Sequence, residues 1–100
     1  MTSTTAPGAR TSRSTVWAGE RVLDVGCGAA KGSGAVGIDI MPLPGVDVVH
    51  DLNTYPWPFS DSEFDRLVFR ESLEMLDDVV KTMEEAHRVT KPGGRVEIHT

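Results

Sequence analysis

Residues 21–39, RVLDVGCGAAKGSGAVGID, set two short apolar runs on either side of a glycine-rich loop and end the second run on an acid. No other part of the chain restricts the fold as strongly. Val22, Leu23 and Val25 are too few to be told from helix by periodicity, but Gly26 and Gly28 stop the run at once, which predicts a buried strand. Residues 35–40 read likewise. Two buried strands joined by a glycine loop predict a parallel sheet with a ligand at the strand ends, because a glycine backbone can approach a ligand that a Cβ would hold off. Only residues 26–34 separate the strands, short of the dozen or so that a crossover with a full helix needs. One helical turn fits there at most.

The remaining apolar runs extend the pattern. MPLPG, residues 41–45, separates the second strand from a third run at 46–49, and its two prolines and glycine exclude a helix. A parallel return past a five-residue strand covers about 17 Å, and six extended bonds reach roughly 20 Å. Either strand three is parallel and one face of this half of the sheet is thinly covered, or strand three is antiparallel. TYPWPFSDSE, residues 54–63, is a loop held extended by Pro56 and Pro58, with Trp57 and Phe59 as plugs for the sheet end. Residues 64–69 are a fourth strand. Val79, Val80, Met83, Ala86 and Val89 then recur at three- and four-residue spacing, the mark of an amphipathic helix, capped by Asp77 or Asp78. His87, Arg88 and Lys91 suit the negative end of its dipole. Pro92, Gly93 and Gly94 stop it, and residues 95–99 form a fifth strand.

One hundred residues with 39% hydrophobic content make one small domain. Residues 1–15, rich in Ser and Thr and free of acids, read as a flexible tail, which places the folded domain at 16–100 with Trp17 covering one end of the sheet. A formal net charge of -5 argues against general nucleic-acid or membrane-surface binding. A lone Cys27 cannot form an intrachain disulfide, and no apolar run reaches membrane-span length, so the default location is cytoplasmic. His50, His87 and His99 show no metal-ligand spacing, and no metal site is expected.

Two ligand classes suit a glycine loop at a sheet edge. A dinucleotide needs Gly-x-Gly-x-x-Gly opening a helix, but the glycines fall at Gly26, Gly28 and Gly32, one residue too wide, and no helix of useful length follows. A nucleoside without phosphates needs only a glycine turn, an acid for the ribose hydroxyls and an acid or amide for the adenine amino group. Asp39 ends strand two and Asp51 follows strand three; in a parallel sheet both share the carboxyl edge with residues 26–28. Asp24, inside the first strand, suits backbone N–H groups of the loop. Cys27 reads as a small packed residue.

VLDVGCG at 22–28, GIDI at 37–40, HDLN at 50–53, PWPFSDSEFD at 56–65, SLEML at 72–76 and EEAHRVTKPGGRVEI at 84–98, in that order, resemble the successive motifs of the class I S-adenosylmethionine-dependent methyltransferases. The resemblance implies an α/β fold with a Rossmann-like, mostly parallel sheet of about five strands in order 3-2-1-4-5 and few helices. It implies S-adenosylmethionine as cofactor. Asp24, Gly26, Cys27 and Gly28 would meet its amino-acid part, Asp39 its ribose hydroxyls, and Asp51 with Leu52 its adenine, with Ile40 a further cofactor-binding residue. Arg70 and Glu71, just after strand four, would face the methyl donor and its acceptor, with His99 at the end of strand five as a second acceptor-side candidate. The shortness of the link between GCG and GIDI is similar to that of a compact bacterial branch of the family. Two departures follow: the family's Leu-Glu-His reads Leu73-Glu74-Met75, and the sequence stops at Thr100, before the family's usual C-terminal antiparallel strand pair. A trimmed chain, or a second copy covering the strand-five edge, is the corresponding expectation. The implied activity is methyl transfer to an unidentified acceptor, with a non-catalytic nucleoside binder, and behind it a dinucleotide module, as alternatives.

Overall fold

The computed structural model describes residues 19–29, 31–70 and 76–99. Its strands are β1 (Val22–Val25), β2 (Val36–Asp39), β3 (Val48–Val49), β4 (Phe64–Arg70) and β5 (Thr90–His99), with one helix, α1 (Val79–Val89), between β4 and β5. They form one five-stranded sheet in the order β3-β2-β1-β4-β5. Every pairing is parallel, β2 with β3 included, which decides the direction of strand three. The expected fold class and strand order are borne out.

All four residues of β1 are buried, as the centre of a parallel sheet requires. Alternation sends them to different layers. Leu23 and Val25 join Ile38, Leu67 and Phe69 in the main core, where Leu52, Trp57, Phe64, Ala86 and Val89 pack on them, whereas Val22 packs with Ala35 and Val68 on the opposite face. At the β3 end the sheet is thinly covered: Ile40, Met41, Leu43 and Val49 are exposed. This is the consequence of a return through two prolines rather than through a helix.

Three boundaries differ from the sequence reading. Strand three is only Val48–Val49, because Asp47 is spent on the neighbouring backbone. Arg70 is the last residue of β4 rather than the residue after it. The fifth strand reaches back to Thr90, but its register jumps from Phe64↔Thr90 to Arg66↔Arg95. The chain around Pro92, Gly93 and Gly94 therefore bulges out of the ladder, as proline and glycine in a strand do. Trp17, the proposed start of the domain and the segment with Glu71 lie outside the described residues.

α1 begins where expected, with Asp78 as the cap: its carboxylate takes the Lys81 N–H at 3.0 Å. Its inward face keeps only part of the expected stripe, Ala86 and Val89. Thr82, Glu85, Ala86 and Val89 are buried, while Val79 and Val80 are exposed. The reason is the loop before β4. Pro56 and Pro58 have no N–H to give to a ladder, and the loop's remaining polar backbone is satisfied by α1 side chains instead. Glu85 Oε2 accepts the Trp57 N–H at 2.6 Å. The Arg88 guanidinium donates to the carbonyls of Trp57 (3.1 Å) and Phe59 (2.9 Å) and to the carboxylates of Glu85 and Asp61. Thr82 donates to the Asp78 carbonyl, which leaves its oxygen to accept the Tyr55 hydroxyl at 2.8 Å. Trp57 is a core residue, and the half-buried Phe59 packs against the core, standing edge-on to Phe64 at 5.0 Å.

The hydrogen bonds from Arg88 hold the Glu85 carboxyl below its ordinary value of 4.5, against the opposing effect of burial. A depressed folded-state value contributes stability that is complete above the ordinary value and disappears as pH falls through the lowered one. Glu85→Ala is expected to cost about 2 kcal/mol in urea denaturation at pH 7, since it leaves the buried Trp57 N–H without an acceptor and takes from Arg88 the less exposed of its two carboxylate partners, Asp61 remaining. Glu85→Gln is expected to flatten the acid limb of a stability-versus-pH curve. An acid limb that keeps its slope in Glu85→Gln would assign that limb to other carboxylates.

Candidate functional site

The parallel order brings the carboxyl ends of β1, β2 and β3 to one edge, and the glycine loop leaves β1 there. Among the described residues the loop contains no helix. Gly26 turns at φ +68° and Gly28 at φ +57°, the left-handed region that favours glycine. A Cβ on Gly28 would meet nothing within 4 Å. This glycine is required by backbone conformation, not by crowding, and the space before it is open.

Carboxylates hold the loop in place. Asp24 Oδ2 accepts the Gly32 N–H at 3.0 Å, the loop-bonding role expected of it. Asp39 Oδ2 accepts the Gly28 N–H at 2.8 Å, and its Oδ1 accepts the Met41 N–H at 3.0 Å. The end of β2 is thereby tied directly to the glycine turn. The backbone adds a second tie, from the Gly26 N–H to the Ile38 carbonyl at 2.8 Å.

Beyond β3, the His50 N–H bonds the Asp39 carbonyl at 2.9 Å, which sets the next turn beside the end of β2. Asp51 is exposed and accepts the Asn53 N–H on Oδ1 at 2.9 Å, while Leu52 is buried in the core. Asp39, Asp51 and the glycine turn therefore share one edge, as the topology argument requires. Ile40 is exposed at the same edge. Arg70 and His99 are register partners at the ends of β4 and β5, farther along it. His99 is exposed, its Nε2 3.6 Å from the Glu97 carboxylate. Glu71 lies outside the described residues.

Cys27 is buried against Gly37: a Cβ built on that glycine would lie 2.6 Å from Cys27 Sγ. Burial first, then the Asp24 and Asp39 carboxylates, push the thiol up to about 11. It is a packed residue, as its sequence context indicates. The sequence reading missed Asp47 and Lys31. Asp47 Oδ2 accepts the Gly37 N–H at 2.7 Å and the Lys31 ammonium at 2.9 Å, and these bonds hold its carboxyl below the usual range. The signal was an acid directly after the turn at Gly45 and Val46, but nothing local shows that its partner is the middle of the neighbouring strand.

A groove of about 600 Å³ lined by Asp61, Met83, His87, Lys91, Pro92 and Val96 lies at the other edge of the sheet, where α1 ends and β5 begins. It shares no residue with the glycine loop. Among the described residues no helix is long and apolar enough to cross a membrane.

A Methyltransferase domain family model matches residues 23–98. The chain belongs to that family. The matched span runs from β1 to β5 and contains both the glycine turn and the two acids. A demethylmenaquinone methyltransferase of Lysinibacillus sphaericus is 32% identical over 101 residues, covering 78% of this chain and 43% of that protein. A second, from Geobacillus kaustophilus, is 30% identical and covers 82% of this chain and 45% of that protein. The domain thus spans less than half the length of the curated relatives it matches. Among solved structures, a SAM-dependent methyltransferase from Aquifex aeolicus superposes with a TM-score of 0.58 at 26% identity, over 73% of this chain and 52% of that one.

Two outcomes test the packing of the domain's loop. Iodoacetamide at pH 8 is expected to leave Cys27 unmodified in the folded protein, because only about one thiol in a thousand is ionised when the value stands near 11, and to label it fully in urea. Rapid labelling without denaturant would contradict the buried placement. Gly37→Ala is expected to cost about 1 to 3 kcal/mol, since its Cβ would overlap Cys27 Sγ and the Gly45 carbonyl. The double change Cys27→Gly, Gly37→Ala would recover part of that loss.

Proposed function

We propose that this domain binds S-adenosylmethionine along the carboxyl edge of β1, β2 and β3 and serves the transfer of its methyl group to an acceptor. One observation carries this reading: the Asp39 carboxylate at the end of β2 is bonded to the Gly28 N–H at 2.8 Å, beside an open glycine turn and one strand away from an exposed acid, Asp51.

The residues present fit the cofactor. Each carboxylate oxygen has two acceptor sites, so Asp39 can serve Gly28 and Met41 and still accept two ribose hydroxyls. Asp51 spends one oxygen on Asn53, and its second makes no hydrogen bond to a described residue, which suits an exocyclic amino group. Gly26, Cys27 and Gly28 offer backbone that can be approached closely, with Asp24 fixing the far side of the loop. Acids also favour a cationic ligand: a sulfonium is attracted to this edge and a pyrophosphate is repelled. The one loop cation, Lys31, is already paired with Asp47.

When bound, S-adenosylmethionine supplies a methyl group made electrophilic by its sulfonium. The chain's own residues hold and align. Asp39 and Asp51 fix the nucleoside by charge-assisted hydrogen bonds, and the glycine turn sets the position of the amino-acid end. Most of the rate in such a site comes from this orientation. Arg70 and His99, in register at the ends of β4 and β5, stand where an acceptor would be met.

Calorimetric and thermal-shift titrations with S-adenosylmethionine, S-adenosylhomocysteine and NAD test the proposal. The first two are expected to stabilise the protein, by about 2.7 kcal/mol at a hundred times Kd, and NAD is expected to leave it unmoved. Asp39→Ala is expected to weaken S-adenosylhomocysteine binding by about 1 to 3 kcal/mol. Asp39→Asn, which keeps an oxygen for the Gly28 N–H, is expected to lose less. Stabilisation by NAD alone would replace this reading with a dinucleotide site, and indifference to all three ligands would leave a structural domain.

A further inference from the structure

We propose that Trp57 is a positioning residue for the adenine end of the site: its indole N–H holds the Leu52 carbonyl and thereby the turn that presents Asp51. The inference rests on the nucleoside reading above.

Trp57 is buried in the main core with Leu52, Ala86 and Val89. An indole has a single polar atom, a donor, and burying it without an acceptor is costly. Here Nε1 donates to the Leu52 carbonyl at 3.1 Å. Leu52 is thus anchored twice, by a buried side chain and by its carbonyl, and Asp51 is the residue before it.

The other bonds of this turn are mostly internal. Asp51 accepts the Thr54 N–H on its carbonyl and the Asn53 N–H on its side chain, and His50 Nε2 meets the Thr54 carbonyl at 2.8 Å. Asn53 Oδ1 adds a link to the Asp77 N–H, before the start of α1. These bonds shape the turn and fasten its rim. The indole bond fastens it to the core, and Trp57 is itself fixed, with its N–H on Glu85 and its carbonyl on Arg88. A continuous path, Arg88 to Glu85 to Trp57 to Leu52, therefore runs from α1 through the core to the carboxyl edge.

Packing alone would be met by any large ring at position 57. The N–H matters for geometry, because a carboxylate that must meet one amino group has to be held to within a fraction of an ångström. A turn left free would be ordered only on binding, at a cost to affinity.

The test is a set of S-adenosylhomocysteine titrations by calorimetry on the wild-type protein, Trp57→Phe, Asp51→Ala and Asp39→Ala, and on Trp57→Phe combined with each aspartate change. Trp57→Phe is expected to raise Kd about two- to tenfold, the range of one net hydrogen bond. In combination with Asp51→Ala the added loss should vanish, because the turn no longer has a carboxylate to position. With Asp39→Ala the two losses should multiply. A purely structural tryptophan would lower the melting temperature and leave Kd unchanged, or would multiply with both aspartate changes; either result overturns the proposal. A wild-type protein that does not bind S-adenosylhomocysteine overturns the nucleoside reading and this inference with it, which is distinct from wild-type binding that Trp57→Phe does not affect. Should Trp57→Phe not fold, the wild-type protein still decides: when S-adenosylhomocysteine saturates the site, deuterium exchange of the Trp57 indole N–H is expected to slow about tenfold more than that of the buried β4 amides, and a slowing no greater than theirs overturns the coupling.

Discussion

Carboxylates accepting backbone N–H groups are the constraint on which this small domain depends. A strand-to-strand loop without a helix leaves its own amides to be satisfied, and orphaned buried amides are rarely tolerated. Asp24 takes Gly32, Asp39 takes Gly28, and Asp47 takes Gly37. Each bond joins residues well apart in sequence, so together they close the loop onto β1 and β2 without a helix. The same chemistry gives the edge its negative character. Asp39 serves both purposes at once, because a carboxylate that holds a glycine turn still has lone pairs for a ligand lying against it.

The second half of the domain solves the same problem with a helix. The residues around Pro56 and Pro58 cannot join a ladder, and their carbonyls and remaining amides are taken by Glu85 and Arg88. This is why α1 turns polar side chains inward and leaves Val79 and Val80 outside. The polar cluster fixes where Trp57 lies, and Trp57 reaches Leu52. Core packing on one side of the sheet is in this way connected to the turn that carries Asp51.

The sheet is covered unevenly, and the candidate site follows from that. α1 and the loop from Leu52 to Phe64 cover the main core on β1, β2 and β4, whereas the β3 end has only a proline-rich connection. The carboxyl edge of β1 to β3 combines an open glycine turn with acids fixed from below. The groove at the start of β5 has an open glycine, Gly93, and an acid, Asp61, of its own, but that acid is paired with Arg88.

The succession of strands and helix along the chain and the glycine turn were legible in the sequence, because glycines and prolines at 26–28, 42–45 and 92–94 punctuate the apolar runs; the order of strands in the sheet was implied by the family resemblance, and Asp39 and Asp51 shared one edge only if strand three was parallel. Asp24 could be read as a loop-holding acid for the same reason: an acid inside a buried strand must find donors nearby. The direction of strand three was not legible, since the chain from Met41 to Gly45 reaches far enough for one return and is short enough for the other; pairing with β2 decided it. The inward face of α1 was read correctly at Ala86 and Val89 and missed at Thr82 and Glu85, because periodicity counts apolar residues and knows nothing of unsatisfied amides in a distant loop. Asp47, Glu85, Arg88 and the indole N–H of Trp57 acquire their roles only in three dimensions. Asp47, Glu85 and Arg88 bond residues on another element, ten or more positions away, which leaves no local pattern, and the indole reaches the Leu52 carbonyl, five residues back, only because the loop folds over the core.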